Sequence, residues 1–186
     1  MRARLAAYAA VVLTAAVWVG WDVAQRARDA ALTRDLVEVS GVDALHSFHQ
    51  QVDAAREFIN ANSQHNMNDE FYAEWHHVDV LKQGVLAHAK GQTAKLQPLE
   101  CSTRSRLLAD MLRVLGYRVR TIHLYSEGLV ESHTFIDVLN PASGRWETQD
   151  ADYNTYWQSK SGERVSIVDV AANPKAYVPC GPDTCG

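Results

Sequence analysis

Hydrophobic and polar positions change rhythm three times along this chain. From 5 to 21 it reads LAAYAAVVLTAAVWVGW without a single charge. A helix rises about 1.5 Å per residue, so such a run spans most of a bilayer core, more so if Val23 and Ala24 join it. Trp18 and Trp21 suit an interfacial aromatic belt. The first expectation is therefore an uncleaved transmembrane anchor in 1–24, followed by a charged, Ala-rich helical stalk over 25–40. A cleaved signal segment is the rival reading, with a buried soluble helix as a third. Trp18 and Trp21 are bulky where a small-residue cleavage motif would fit. Arg2 and Arg4 precede the run and Arg26 and Arg28 follow it, so flanking charge does not set the orientation.

The second rhythm is helical. Ser40 reads as an N-cap, and Val42, Leu45, Phe48, Val52, Ala55 and Ile59 recur at three- and four-residue steps. Residues 61–68 are a polar break. Asp69 can cap a second helix with Phe71, Trp75, Val78, Leu81 and Val85 on one face, ended by Gly91. A third helix starts at Cys101 and places Leu107, Leu108, Met111, Leu112 and Leu115 on one side. Pro98 discourages helix upstream, and Gly116 fits the stop. The third rhythm is alternation: strands over 117–125, 132–139 and from 145, with turns at 126–128 and 140–144. Helices followed by closely spaced strands predict an α+β domain over 41–179, its helices packed on an antiparallel sheet.

Composition narrows the function. The 186 residues suit one domain with a short extra segment. A net charge of −4 gives no basic excess, so no nucleic-acid partner is expected. Of three cysteines, Cys180 and Cys185 flank a Gly- and Pro-containing spacer in a C-terminal tail, 180–186. A disulfide between them is feasible and would favour an oxidising, periplasmic or extracytoplasmic compartment. Two free thiols or a weak metal clip are the alternatives. A disulfide closing so short a loop at a terminus should add little stability. Pairing these two leaves Cys101 as a lone, reactive-thiol candidate.

Cys101 stands where a helix start presents unpaired N–H groups and about half a positive charge. Such a position favours a thiolate, and the N–H groups can also donate to an oxyanion. A nearby imidazole activates the thiol, and a carboxylate orients the imidazole. His133 opens one strand and Asp150 ends the next. A hairpin centred near 142 puts 133 opposite about 151, so the two are expected within side-chain reach. The helix bearing Cys101 must pack on that sheet through its leucine face, which brings the thiol to the pair.

These segments, Cys101 to Arg120, then HTFIDV from His133, then GRWETQD from Gly144, resemble the transglutaminase-like superfamily of the papain-like fold. The shared order is a Cys at a helix start, a leucine-rich helix ending before Gly, a strand, a His opening the next strand, and a Trp shortly before an Asp. The resemblance covers about a third of the chain. It implies catalytic roles for Cys101, His133 and Asp150, an acyl-enzyme formed on an amide or peptide carbonyl, a protein or peptide substrate, and no cofactor. Hydrolysis is slightly favoured over transfer to an amine. Glu100 departs from the small residue expected before the nucleophile, and Ala151 stands where Pro is common, which makes Asp152 a possible substitute for Asp150. Glu100 also favours the alternative, an inactive binding module in an envelope or polysaccharide-export system. A third reading is an anchor protein whose amphipathic helices recruit a partner.

The remaining candidates carry less. Trp146 reads as core packing beside the site, and Asp137 as a structural carboxylate. His76 and His77 point about 100° apart on a helix and cannot chelate one metal. His46 and His49 have favourable spacing but no convincing third ligand, so no metal site is expected. His65, His88 and His123 read as surface or hydrogen-bonded core residues.

Overall fold

The computed structural model describes residues 2–128, 132–181, 184 and 185, and of the side chains from 2 to 10 only that of Tyr8. Helix α1 runs unbroken over Arg2–Ser40. Val11, Val12, Leu13, Val17, Trp18, Val19, Trp21 and Val23 lie exposed along it. Among the described residues, no helix is long and apolar enough to cross a membrane. The expected span begins at residue 5, and most of its first side chains fall outside the described ones. The end of the expected stalk is not a free spacer. Thr33, Leu36 and Val37 are buried, and the last two join the main core.

The first amphipathic helix starts later than its periodicity predicts. Ser40 closes α1, its hydroxyl donating to the Val37 carbonyl at 2.8 Å. Gly41 then turns the chain at φ 69°, a conformation that suits glycine, and Val42–Ala44 form a 3-10 turn. Ser47 is the cap, accepting from the Gln50 N–H at 3.2 Å, and α2 spans Phe48–Ala61. The apolar period crosses the turn because Val42 and Val52 enter the same core. The second expected helix is two: α3, Asp69–Glu74, capped by Asn68 rather than Asp69, and α4, Val78–Ala89. The break at 75–77 leaves Trp75 at the surface, while Phe71 is buried.

The polar break hides a strand. Strand β1, Ser63–His65, pairs in parallel with β2, Gln97–Leu99, setting His65 opposite Leu99. Helix α5 follows over Cys101–Val114 with its leucine face buried, and Gly116 takes φ 88° at its end. The main sheet is antiparallel in the order β3 (Val119–Tyr125), β4 (Ser132–Leu139), β5 (Trp146–Asp150), β6 (Thr155–Ser159) and β7 (Tyr177–Cys180). The short helix α6, Ile167–Ala172, lies between the last two strands in sequence.

The mixed α+β architecture thus has helices α1, α2, α4 and α5 around one core that meets the sheet at Ile136 and Val138. Alternation turns His133 and Phe135 to the other face. Cys180 is fully buried at the end of β7 and disulfide-bonded to Cys185. It belongs to the sheet rather than to a tail.

Candidate active site

The start of α5 is fixed from both sides. Upstream, β2 is held by β1. At the helix end, the Glu100 N–H donates to Thr103 Oγ1 at 3.0 Å, and that hydroxyl donates back to the Glu100 carbonyl at 2.9 Å. The helix is tied to the sheet where Ser105 Oγ donates to the Thr134 carbonyl at 2.8 Å, one residue from His133. Cys101, the first residue of α5, is half-buried and is the free cysteine among the described residues.

The β4–β5 ladder pairs Ile136 with Gln149. Continued outward, it sets His133 opposite 152, not 151. That one-residue difference decides the geometry, because side-chain facing repeats every second residue. Asp150 then shares a face with His133 as its diagonal neighbour, and Nε2 of His133 lies 2.7 Å from Asp150 Oδ2. Asp150 is 1% exposed, and its Oδ1 accepts the N–H groups of Asp152 at 2.8 Å and Tyr153 at 3.2 Å. Nε2 is committed to Asp150, and Nδ1 is the ring nitrogen that this bond leaves unused.

The imidazole is electrostatically unusual. The hydrogen bond to Asp150 first, and the bond to Cys101 second, push its pKa up to about 10 against the opposing cost of burial. At neutral pH, His133 therefore carries its proton, held between a carboxylate and the sulfur. Such an arrangement suits attack by sulfur on an electrophilic carbon, followed by proton delivery from the ring to a leaving group. Cys101 stands in the first turn of α5, where backbone N–H groups have no intrahelical carbonyl to bond.

Cys101 and His133 face a cleft of about 730 Å³, whose walls include His65, Glu100, Asp152 and Tyr153. The structure separates the two carboxylates that the sequence left interchangeable. Asp150 serves His133, whereas Asp152 Oδ1 receives His65 Nδ1 at 2.8 Å and Arg104 Nη1 at 3.1 Å. Burial lowers the Arg104 pKa, opposed by Asp152. Glu100 lines the cleft, its carboxylate accepting from the Ser102 hydroxyl.

One expectation needs correction. Trp146 is not beside the site. It pairs with Leu139 at the far end of β5 and lies under the Arg120 guanidinium, 4.4 Å from the ring centroid. His65 is a cleft residue, although nothing in a polar break marks it as one. Its place follows from β1 pairing with β2, a contact between distant segments. Asp137 is structural, buried and bonded to Arg120 Nη2 at 2.7 Å and Thr148 Oγ1 at 2.5 Å. His49 pairs with Glu147 at 2.9 Å, His88 with Asn62 at 2.8 Å, and His123 with Thr134 at 3.0 Å. Among the described residues, no group of three or more His, Cys, Asp or Glu side chains is arranged to hold a metal ion.

No protein-family model and no curated protein matches the chain. Among solved structures, one described as "Crystal structure of a TGase" is similar over 66% of this chain, at 19% identity and a TM-score of 0.45. The chain spans 31% of that structure's length.

Proposed function

We propose that this protein is a transglutaminase-like thiol enzyme that acts on an amide or peptide carbonyl through an acyl-enzyme. The observation that carries the reading is that His133, hydrogen-bonded to the buried Asp150, shares the wall of one cleft with Cys101 at the start of α5. The sulfur of Cys101 bonds to the carbonyl carbon, and the C–N bond breaks. The proton on His133 goes to the departing amine. Acylation removes the Cys101 contribution that helps hold this proton, so the ring gives it up more readily as the reaction proceeds. The freed imidazole then takes a proton from the incoming water or amine, and the thiolate leaves. Asp150 orients the ring throughout. Hydrolysis is favoured over transfer, a reading supported by the exposed Tyr153 on the cleft wall, which leaves water close at hand.

The test pairs thiol alkylation with acyl transfer. Cys101 of the wild-type protein and of His133→Ala is labelled with iodoacetamide at neutral pH and read by mass spectrometry. Turnover of an activated thioester is followed in parallel. His133→Ala should lose on the order of 100-fold in turnover and label more slowly. Equal labelling and equal turnover in the two proteins would rule the reading out.

A second reading, an inactive binding module of an envelope or polysaccharide-export system, is favoured by the Glu100 carboxylate on the cleft wall beside Cys101. Full biological activity in Cys101→Ala would select it. For location, we infer a membrane-attached, extracytoplasmic domain. The run of exposed apolar side chains on α1 and the Cys180–Cys185 disulfide support this placement. Cell fractionation with and without residues 1–24 tests it.

A further inference from the structure

Beside His133 the sheet carries a groove of about 460 Å³, lined by His133 but not by Cys101. Register places its walls on one face. Leu124 lies opposite His133, Phe135 follows two residues on, and Trp157 lies opposite Pro179. Ile167, the first residue of α6, adds to the lining from outside the sheet. Apart from His133, Asp150 and Thr155, the lining is aromatic or aliphatic. Phe135 is buried yet stands outside the main core, its ring 5.6 Å from His133 and 6.1 Å from Trp157.

The groove continues the cleft. Leu124, His133 and Tyr153 line both, and the Tyr153 ring lies 5.1 Å from the His133 ring at the junction. Cys101 lines the cleft but not the groove. A substrate with its carbonyl carbon on the sulfur must direct its departing nitrogen toward the ring that protonates it. Whatever that nitrogen carries is then led past His133.

Resting on the thiol-enzyme reading above, we propose that this groove is a subsite for an apolar, preferably aromatic, side chain on the amine component. The preferred substrate is thus a peptide bond followed by a large hydrophobic residue rather than a primary carboxamide that releases ammonia. By microscopic reversibility, an amine that intercepts the acyl-enzyme enters through the same groove. Its nitrogen attacks the thioester carbon and loses a proton to His133, and the C–S bond breaks to restore the thiolate.

The experiment acylates the full chain with N-acetylglycine phenyl thioester and lets phenylalaninamide and glycinamide compete for the acyl group. Products formed equally with Cys101→Ala are subtracted as background. Phenylalaninamide should be favoured by at least about tenfold, the scale of one apolar group filling a pocket. Ile167→Asp and Trp157→Ala should each move the ratio toward one. The ratio is internal to one enzyme population, so it does not depend on how much of a variant folds. A wild-type ratio near one, or a ratio unmoved by both variants, overturns the subsite while leaving the thiol enzyme standing. Absence of any Cys101-dependent product overturns the catalytic reading, and the subsite with it.

Discussion

Asp150 uses both of its oxygens, one to hold the loop that follows it and one to hold His133. The first task needs only an acceptor, which an asparagine supplies. The second needs a charge. Asp150→Asn should therefore keep the turn while removing the largest cause of the raised His133 pKa. A folded pKa of about 10 against an ordinary value of 6.5 stabilises the fold in full below 6.5, and this contribution fades as pH rises to about 10. The wild-type protein should accordingly exceed Asp150→Asn in stability at pH 6 and approach it above pH 10. Urea denaturation across that range checks the sign, and a gap that grows with pH would refute the assignment. The element boundaries at which Cys101, His133 and Asp150 stand were legible, because periodicity and turn residues define them. His65 was not legible, since its neighbours are set by the partner of β1.

Helix α5 supplies the thiol, so its N-terminal geometry matters more than its length. Thr103 ties the helix start by donating to and accepting from Glu100. Thr103→Ala removes both bonds and should cost about 1 kcal/mol, on the scale of a lost cap. It should also slow Cys101 alkylation, because the first turn frays. Chemical denaturation and a labelling time course read the two effects. No change in either would mean that the β2 pairing alone holds the site. Elements with strong periodicity were foreseen well: β4 has the predicted bounds, and α5 has the predicted start and ends one residue early. Where a helix starts was less legible. Ser40, Ser47, Asn68 and Asp69 all have capping chemistry, and tertiary contacts choose among them. The strands β1, β2, β6 and β7 are only three to five residues long, too short for alternation to stand out.

The whole molecule divides at α1. Its exposed apolar side chains up to Val23 make no core, while Leu36 and Val37 are buried with α2, α4 and α5. Lys82 is fully buried and reinforces the junction, bonding Asp29 at 2.7 Å, Thr33 at 2.8 Å and Asp110 at 2.9 Å. Removing residues 1–24 should therefore leave the unfolding midpoint within a few degrees of the full chain. Removing residues 1–40 strips two buried apolar side chains and all α1 partners of Lys82, and should abolish cooperative unfolding, since the loss is comparable to a small domain's net stability. Thermal denaturation of both truncations, followed by circular dichroism, measures this, and a cooperative transition in the shorter protein would show that α1 is dispensable. By itself, the sequence determined the α+β class, the helix that carries Cys101, and the hairpin that brings His133 to Asp150. Each depends on local periodicity and turn chemistry within a few tens of residues. Only the tertiary structure decided that Asp150 rather than Asp152 serves His133, that His65 borders the cleft, and that an apolar groove extends past the ring. The first turned on a register shift of one residue, and the others on pairings between segments far apart in the chain, which no local pattern encodes.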